Sequence, residues 1–232
     1  RPQRRGGHSS EATQRQATIS HTSSLQASRT SHPEHQQSYG AIMIMKWLEA
    51  ERRSVADLLE DLTDDEWRRD TLCAGWTMQE MAAHLTTSTR TGWGDVIRGA
   101  VRARFDWNRM EDAKAHELAT QFTRSELIAQ IRSTAASSKR VPMAAPIDPL
   151  VDFLVHGQDI ARPLGRTREM PLEPAQATLD HVMKSPFWGA RKRFPGGVLP
   201  ALPASELLML ATGRELSPPV DNTVGNSNTR SI

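Results

Sequence analysis

The segment from Asp148 to Arg162 constrains the chain more than any other. Asp148-Pro149 has the form of a helix start, with Pro at the first helical position, where its missing N–H costs nothing. Leu150, Val151, Phe153, Leu154, Val155 and Ile160 then make a helix, about 149–162, that is apolar almost all round. Such a helix has to be enclosed on every side, which predicts the most buried element of the fold. Asp152 and His156 nevertheless sit inside Leu-Val-Asp-Phe-Leu-Val-His. A carboxylate in such company carries a large desolvation cost unless it is paired, hydrogen-bonded or bound to a metal.

The partners that enclose this helix are legible upstream. Trp47, Leu48, Val55, Leu58, Leu59 and Leu62 recur at helical spacing and predict an amphipathic helix over 46–62. Thr63-Asp64-Asp65-Glu66 reads as a second, short helix start. Thr77-Met78-Gln79-Glu80 has the form of a capping box, and Met78, Met81, Ala82 and Leu85 follow at i, i+3, i+4 and i+7. This predicts a helix over 77–90, with a further helical stretch at 95–105 after Gly92 and Gly94. Leu127, Ile128 and Ile131 mark a third amphipathic helix, 124–138, and Pro142, Pro146 and Pro149 punctuate the loop after it. No strand-like alternation occurs in 46–165. Four helices joined by short loops predict an all-α, up-down four-helix bundle over 46–165. Helical segments at Glu173–Lys184 and Ala204–Ala211 make 166–214 a short C-terminal helical extension, the last helix being stopped by Gly213. Residues 215–232 read as a flexible tail, with polar, frayed sequence from Arg214 onward.

Residues 1–45 read as a disordered tail. Residues 1–40 are rich in Ser, Thr, Gln, Arg and His and hold too little apolar surface to offset the entropy of ordering. They resemble a translated leader upstream of Met43 or Met45. The net charge of +2 belongs to this stretch, which carries +3 against −1 for the rest. With no docking motif and no aromatic interleaving, nucleic-acid binding is not expected. No apolar run approaches the ~20 residues that span a bilayer, so no membrane association is expected. The single cysteine, Cys73, excludes an internal disulfide and a Cys-cluster metal site, and a reducing, cytoplasmic setting is the expectation.

Asp152 and His156, at i and i+4, share one helix face. Bundle cores build metal sites from ligands projecting inward from facing helices. His84, in Met81-Ala82-Ala83-His84-Leu85, is the other histidine embedded in apolar helix. His116 and His181 have polar neighbours, and His8, His21, His32 and His35 lack ligand spacing. Two imidazoles and a carboxylate suit Zn²⁺ or another divalent first-row metal, and three protein ligands leave one position open, as in catalytic sites. An Asp/His pair at this spacing equally serves surface hydrogen bonds, and a histidine near an apolar face equally serves packing.

Gly75-Trp76-Thr77-Met78-Gln79-Glu80-Met81-Ala82-Ala83-His84-Leu85 resembles the first signature of the mycothiol-dependent maleylpyruvate isomerase family, among the DinB-like metal-binding four-helix bundles. Asp152-Phe153-Leu154-Val155-His156-Gly157-Gln158-Asp159-Ile160-Ala161 resembles its second. Pro186–Arg191 and Ala204–Arg214 resemble two later blocks, so the likeness spans about 46–214. The resemblance implies a metal held by His84, Asp152 and His156, and mycothiol as thiol cosubstrate. It departs from the family pattern at Asp152, where Glu is usual. It departs again at Phe194–Pro200, which leaves no room for the fuller C-terminal domain of the isomerase. The Arg- and Ala-rich usage resembles that of GC-rich, actinobacterial genomes.

The implied activity is a metal-bound thiol adding to a small electrophile, giving isomerisation or S-transfer, in a monomer or homodimer. The alternative is a non-catalytic, metal-stabilised helical-bundle interaction module. Asp159 is expected to orient a ligand imidazole, or else to be a helix-end surface charge or a partner for Arg162. Cys73 is expected to be a packing residue, Trp76 to line the site entrance, and Arg191-Lys192-Arg193 to be solvated or to meet an anionic cofactor.

Overall fold

The computed structural model describes residues 33–104 and 106–215; of the expected tails at 1–45 and 215–232, residues 1–32 and 216–232 lie outside them. Two compact units are distinguished, residues 1–42 and 43–232. Of the first, the described part is the opening of helix α1, Pro33–Glu60. This helix starts at Pro33 rather than at 46. Pro suits a first helical position, and the Glu, Gln, Ala and Met residues up to 45 are strong helix formers, although they lack the apolar periodicity that marks 46–60.

The rest is an all-α helical bundle with a C-terminal helical extension. After α1 come α2 (Met78–Arg90), α3 (Trp93–Arg102), α4 (Trp107–Gln121), α5 (Arg124–Ser133) and α6 (Asp148–Ala161), then α7 (Leu172–Lys184), α8 (Ala190–Arg193) and α9 (Ala204–Ala211). Among the described residues the only β pairing is the bridge between Asp70 and Thr77. None of their helices is long and apolar enough to cross a membrane. α2 packs on α4, α5 and α6, and α7 lies between α6 and α9.

α2 starts where its capping box places it. The Thr77 side chain accepts from the Gln79 amide, and the Glu80 carboxylate accepts from the Thr77 amide at 3.0 Å. α5 starts on a second capping box, Thr123 with Glu126, and ends at Ser133 rather than 138. The turn that follows is held from outside: the buried Arg52 of α1 donates to the carbonyls of Thr134, Ala135 and Ser137. α4 has no counterpart in the sequence reading. Its inward face is only Met110, Ala115, Leu118 and Ala119, too small and sparse to stand out as an apolar stripe.

α6 is enclosed as expected, with Leu150, Val151, Phe153, Leu154, Val155 and Ile160 all at or below 2% exposure. At Gly157 the enclosure is close. A Cβ there would lie 2.6 Å from Nε of Arg168, and that guanidinium is fixed between Glu51 and Ser54 of α1. α3 is the opposite case. None of its residues is buried, and Trp93, Ile97 and Val101 are each more than half exposed.

Gly157→Ala is expected to cost about 1–3 kcal/mol, because the added methyl displaces an anchored arginine from a packed position. Chemical denaturation against the wild type measures it, and an unchanged midpoint would show that Arg168 gives way freely.

Candidate metal centre

The centre is assembled by α2, α6, the loop before α2 and the end of the chain. In that loop, Cys73 to Trp76 form a tight turn closed by the Trp76 amide donating to the Cys73 carbonyl at 3.1 Å. Gly75 takes φ +84° in this turn, a conformation that disfavours residues with a Cβ. The turn is tied to α6 by the Leu72 amide, which donates to the Asp159 carbonyl. It seats the Trp76 ring 4.9 Å from the His84 ring, and Trp76 Nε1 donates to Asp112 of α4. Trp76 therefore packs directly against His84.

His84 reaches inward from the second turn of α2. His156 meets it with ring centroids 5.0 Å apart and planes nearly perpendicular. Asp152, one turn earlier on α6, completes the group. One donor atom from each of His84, Asp152 and His156 lies within 4.8 Å of the other two. The structure thus brings together the three residues that the sequence singled out. Zinc takes nitrogen and oxygen ligands at ~2.0–2.2 Å, which requires donors of this proximity.

A second group, Cys73 with His156 and Asp159, shows the same proximity, but a cation already occupies it. Arg214 donates to Asp159 through Nε at 3.1 Å and through a terminal nitrogen at 2.6 Å, and it lies 3.3 Å from Cys73 Sγ. At Arg214 itself the expectation of frayed sequence is therefore incorrect, and residues 216–232 lie outside the described residues. The guanidinium is held inside the fold because Asp159, fully buried, needs a counter-charge. The pairing of Asp159 with Arg162 is also not found. Arg162 turns instead to Glu206 and Gln158. Nor do Arg191 and Arg193 reach the site; they cap the carbonyls of Lys184, Trp188 and Ala211.

Asp159 takes the other role anticipated for it. Its carboxylate lies 2.8 Å from Nδ1 of His156. Burial would raise the Asp159 carboxyl, but His156 and Arg214 outweigh it and hold it at about 2. An ionised carboxylate only accepts, so Nδ1 of His156 donates, and the other ring nitrogen, Nε2, is left as the free donor pair. Burial drives the His156 pKa down to about 4, against the pull of Asp159, so the ring is neutral at pH 7, as a metal ligand must be.

Burial pushes Asp152 up to about 6, opposed by His84; its neighbours act on it through charge alone, without a hydrogen bond. Burial would lower His84, but Glu111 and Asp152 outweigh it and the net direction is upward. Glu111, from α4, places Oε2 3.2 Å from His84 Nδ1. The approach is too oblique for a hydrogen bond, so that buried nitrogen has no hydrogen-bond partner. Acidic groups therefore surround two imidazoles whose hydrogen bonding is incomplete. This environment fits a cation, and the donor types fit a divalent first-row metal. Cys73 is pushed up to about 12, by burial first and then by Asp159, so it remains a thiol.

Residues 48–152 match the family model described as the mycothiol maleylpyruvate isomerase N-terminal domain. The likeness covers that segment, a little under half of the chain. The match supports a mycothiol-related, metal-binding function. No curated protein and no solved structure matches the chain. The matched segment ends at Asp152. It contains His84 and Glu111, whereas His156, Asp159 and Arg214 come after it. Sequence reasoning missed Glu111, which lies on the unanticipated α4. It also missed Arg214, whose only signal was its place at the end of the last family-like block.

Arg214→Met leaves Asp159 a buried, half-compensated charge and is expected to cost about 3–5 kcal/mol at pH 7. The depressed Asp159 pKa contributes stability that is present above the ordinary carboxyl value of 3.8 and lost as pH falls towards about 2. The stability gap between wild type and variant, measured by urea unfolding, should therefore narrow between pH 5 and pH 2.5. A gap that widens on acidification would contradict the pairing.

Proposed function

We propose that this chain is a divalent-metal-binding, mycothiol-dependent enzyme, an isomerase or S-transferase acting on small electrophiles. His84, Asp152 and His156 hold the metal, with zinc the best fit to two imidazoles and one carboxylate. The observation that carries the reading is the convergence of these three side chains within 4.8 Å in a bundle interior. The family match over residues 48–152 supports it.

When bound, the metal supplies thiol activation, because a coordinated thiol is deprotonated at neutral pH and the thiolate is the nucleophile. The protein's own groups prepare for this. Asp159 keeps the proton of His156 on Nδ1, and Arg214 keeps Asp159 ionised. Trp76 closes one side of the site with an apolar ring. Cys73, held as a thiol, leaves the nucleophile to a small-molecule thiol. A cytoplasmic setting accords with that requirement.

The purified chain is expected to bind about one divalent ion, and His84→Ala and His156→Ala to abolish tight binding, read by metal analysis after dialysis. Asp152 has a folded pKa of about 6, above its ordinary 3.8. In the metal-free protein, the stability linked to this group is full below 3.8 and lost as pH rises through about 6. Metal binding needs the carboxylate, so affinity should fall at least about tenfold from pH 7 to pH 5. Mycothiol with a panel of small electrophiles then tests turnover. Metal binding without turnover would shift the reading to a metal-stabilised interaction bundle, and a protein indifferent to Zn²⁺ and Ni²⁺ would overturn both.

A further inference from the structure

Two imidazoles converge on the centre, and each has a carboxylate at its Nδ1. For His156 the carboxylate is Asp159, one turn away on the same helix. For His84 it is Glu111, which arrives from a different helix, with Oε2 3.2 Å from Nδ1. Glu111 does not belong to the donor group formed by His84, Asp152 and His156. It touches the rear of one member of that group, and its own face also lines a cavity of about 290 Å³ between α3 and α4. Its side chain is 19% exposed and that of His84 is 12% exposed, so the contact is shielded from water and strengthened by that shielding.

We propose that Glu111 is a positioning residue for His84. Its carboxylate accepts the Nδ1 proton, fixes the ring tautomer and turns Nε2 towards the metal. The inference rests on the metal role proposed for His84. The present approach is oblique, and the Nδ1 of His84 is buried without a hydrogen bond. Hydrogen bonds at such sites often tighten only when the site is loaded. Glu111 Oε2 already lies at contact distance, and rotation of the ring about its side-chain bonds aligns the N–H with it when the metal is bound. No covalent step is involved, and Glu111 acts only through His84.

Full-length protein with Glu111→Leu, Glu111→Gln or Glu111→Asp provides the test, with Zn²⁺ as the probe. Leu removes the acceptor at similar volume, whereas Gln retains an oxygen in the same place. Zn²⁺ affinity, read by competition with a chromogenic chelator, is expected to fall about 10–100-fold in Glu111→Leu. It should recover most of that loss in Glu111→Gln, and Glu111→Asp, with its carboxylate drawn back by one methylene, should fall between. In the metal-free protein, ring-¹⁵N NMR should show His84 as the Nδ1–H tautomer in the wild type and a shift towards Nε2–H in Glu111→Leu. Equal Zn²⁺ affinity in all four proteins, or a His84 tautomer that ignores the Leu substitution, would overturn the proposal. If Glu111→Leu does not fold, Glu111→Gln against Glu111→Asp gives the same ranking of acceptor positions. If the wild type binds no Zn²⁺ at all, the metal reading fails, and the ring-nitrogen spectra still decide whether Glu111 sets the tautomer.

Discussion

The arrangement depends on the buried charge of Asp159. This carboxylate is fully enclosed on α6, a helix buried along almost its whole length, where an unpaired charge costs several kcal/mol after relaxation. Two groups offset that cost, the imidazole of His156 and the guanidinium of Arg214. The first binds Asp159 to the centre, and the second binds the end of the described chain to α6. One electrostatic requirement thereby sets the orientation of a candidate ligand, recruits α9 to the bundle and accounts for the cation beside Cys73.

A balance of charge extends this logic across the centre. Glu111, Asp152 and Asp159 approach two imidazoles and one guanidinium from two helices, α4 and α6. Arg214 serves the Asp159 side. Among the described residues no fixed cation pairs with Asp152 or Glu111, and His84 is drawn towards protonation there. Of the two donor groups, only that of Cys73, His156 and Asp159 has an arginine seated against it.

Both ends of this argument were unequally legible in the sequence. The apolar run of α6 made Asp152 and His156 conspicuous, because a polar group is most visible where everything around it is apolar. The capping box at Thr77 placed α2, and with it His84, in register. α4 offered no such contrast. Its inward residues are mainly alanines, and Glu111 sits among charged neighbours that look like ordinary solvent-facing sequence. Arg214 was hidden for a different reason. Its partner is 55 positions away in sequence, and a polar residue after the last helix reads as an end unless the fold reveals what it covers. The early start of α1 belongs to the same class, since residues 33–45 have helix-forming composition without the periodicity that signals burial.

The family segment ends at residue 152, inside α6 and one turn short of His156. A boundary drawn through sequence likeness thus cuts across the shared centre, separating two donors from the third and from the pair that orients it. A fragment excised at those limits would keep His84 and Asp152 and lose the imidazole opposite them. The matched segment and the cluster of donors are different lengths of chain, and only the longer one contains all three candidate donors.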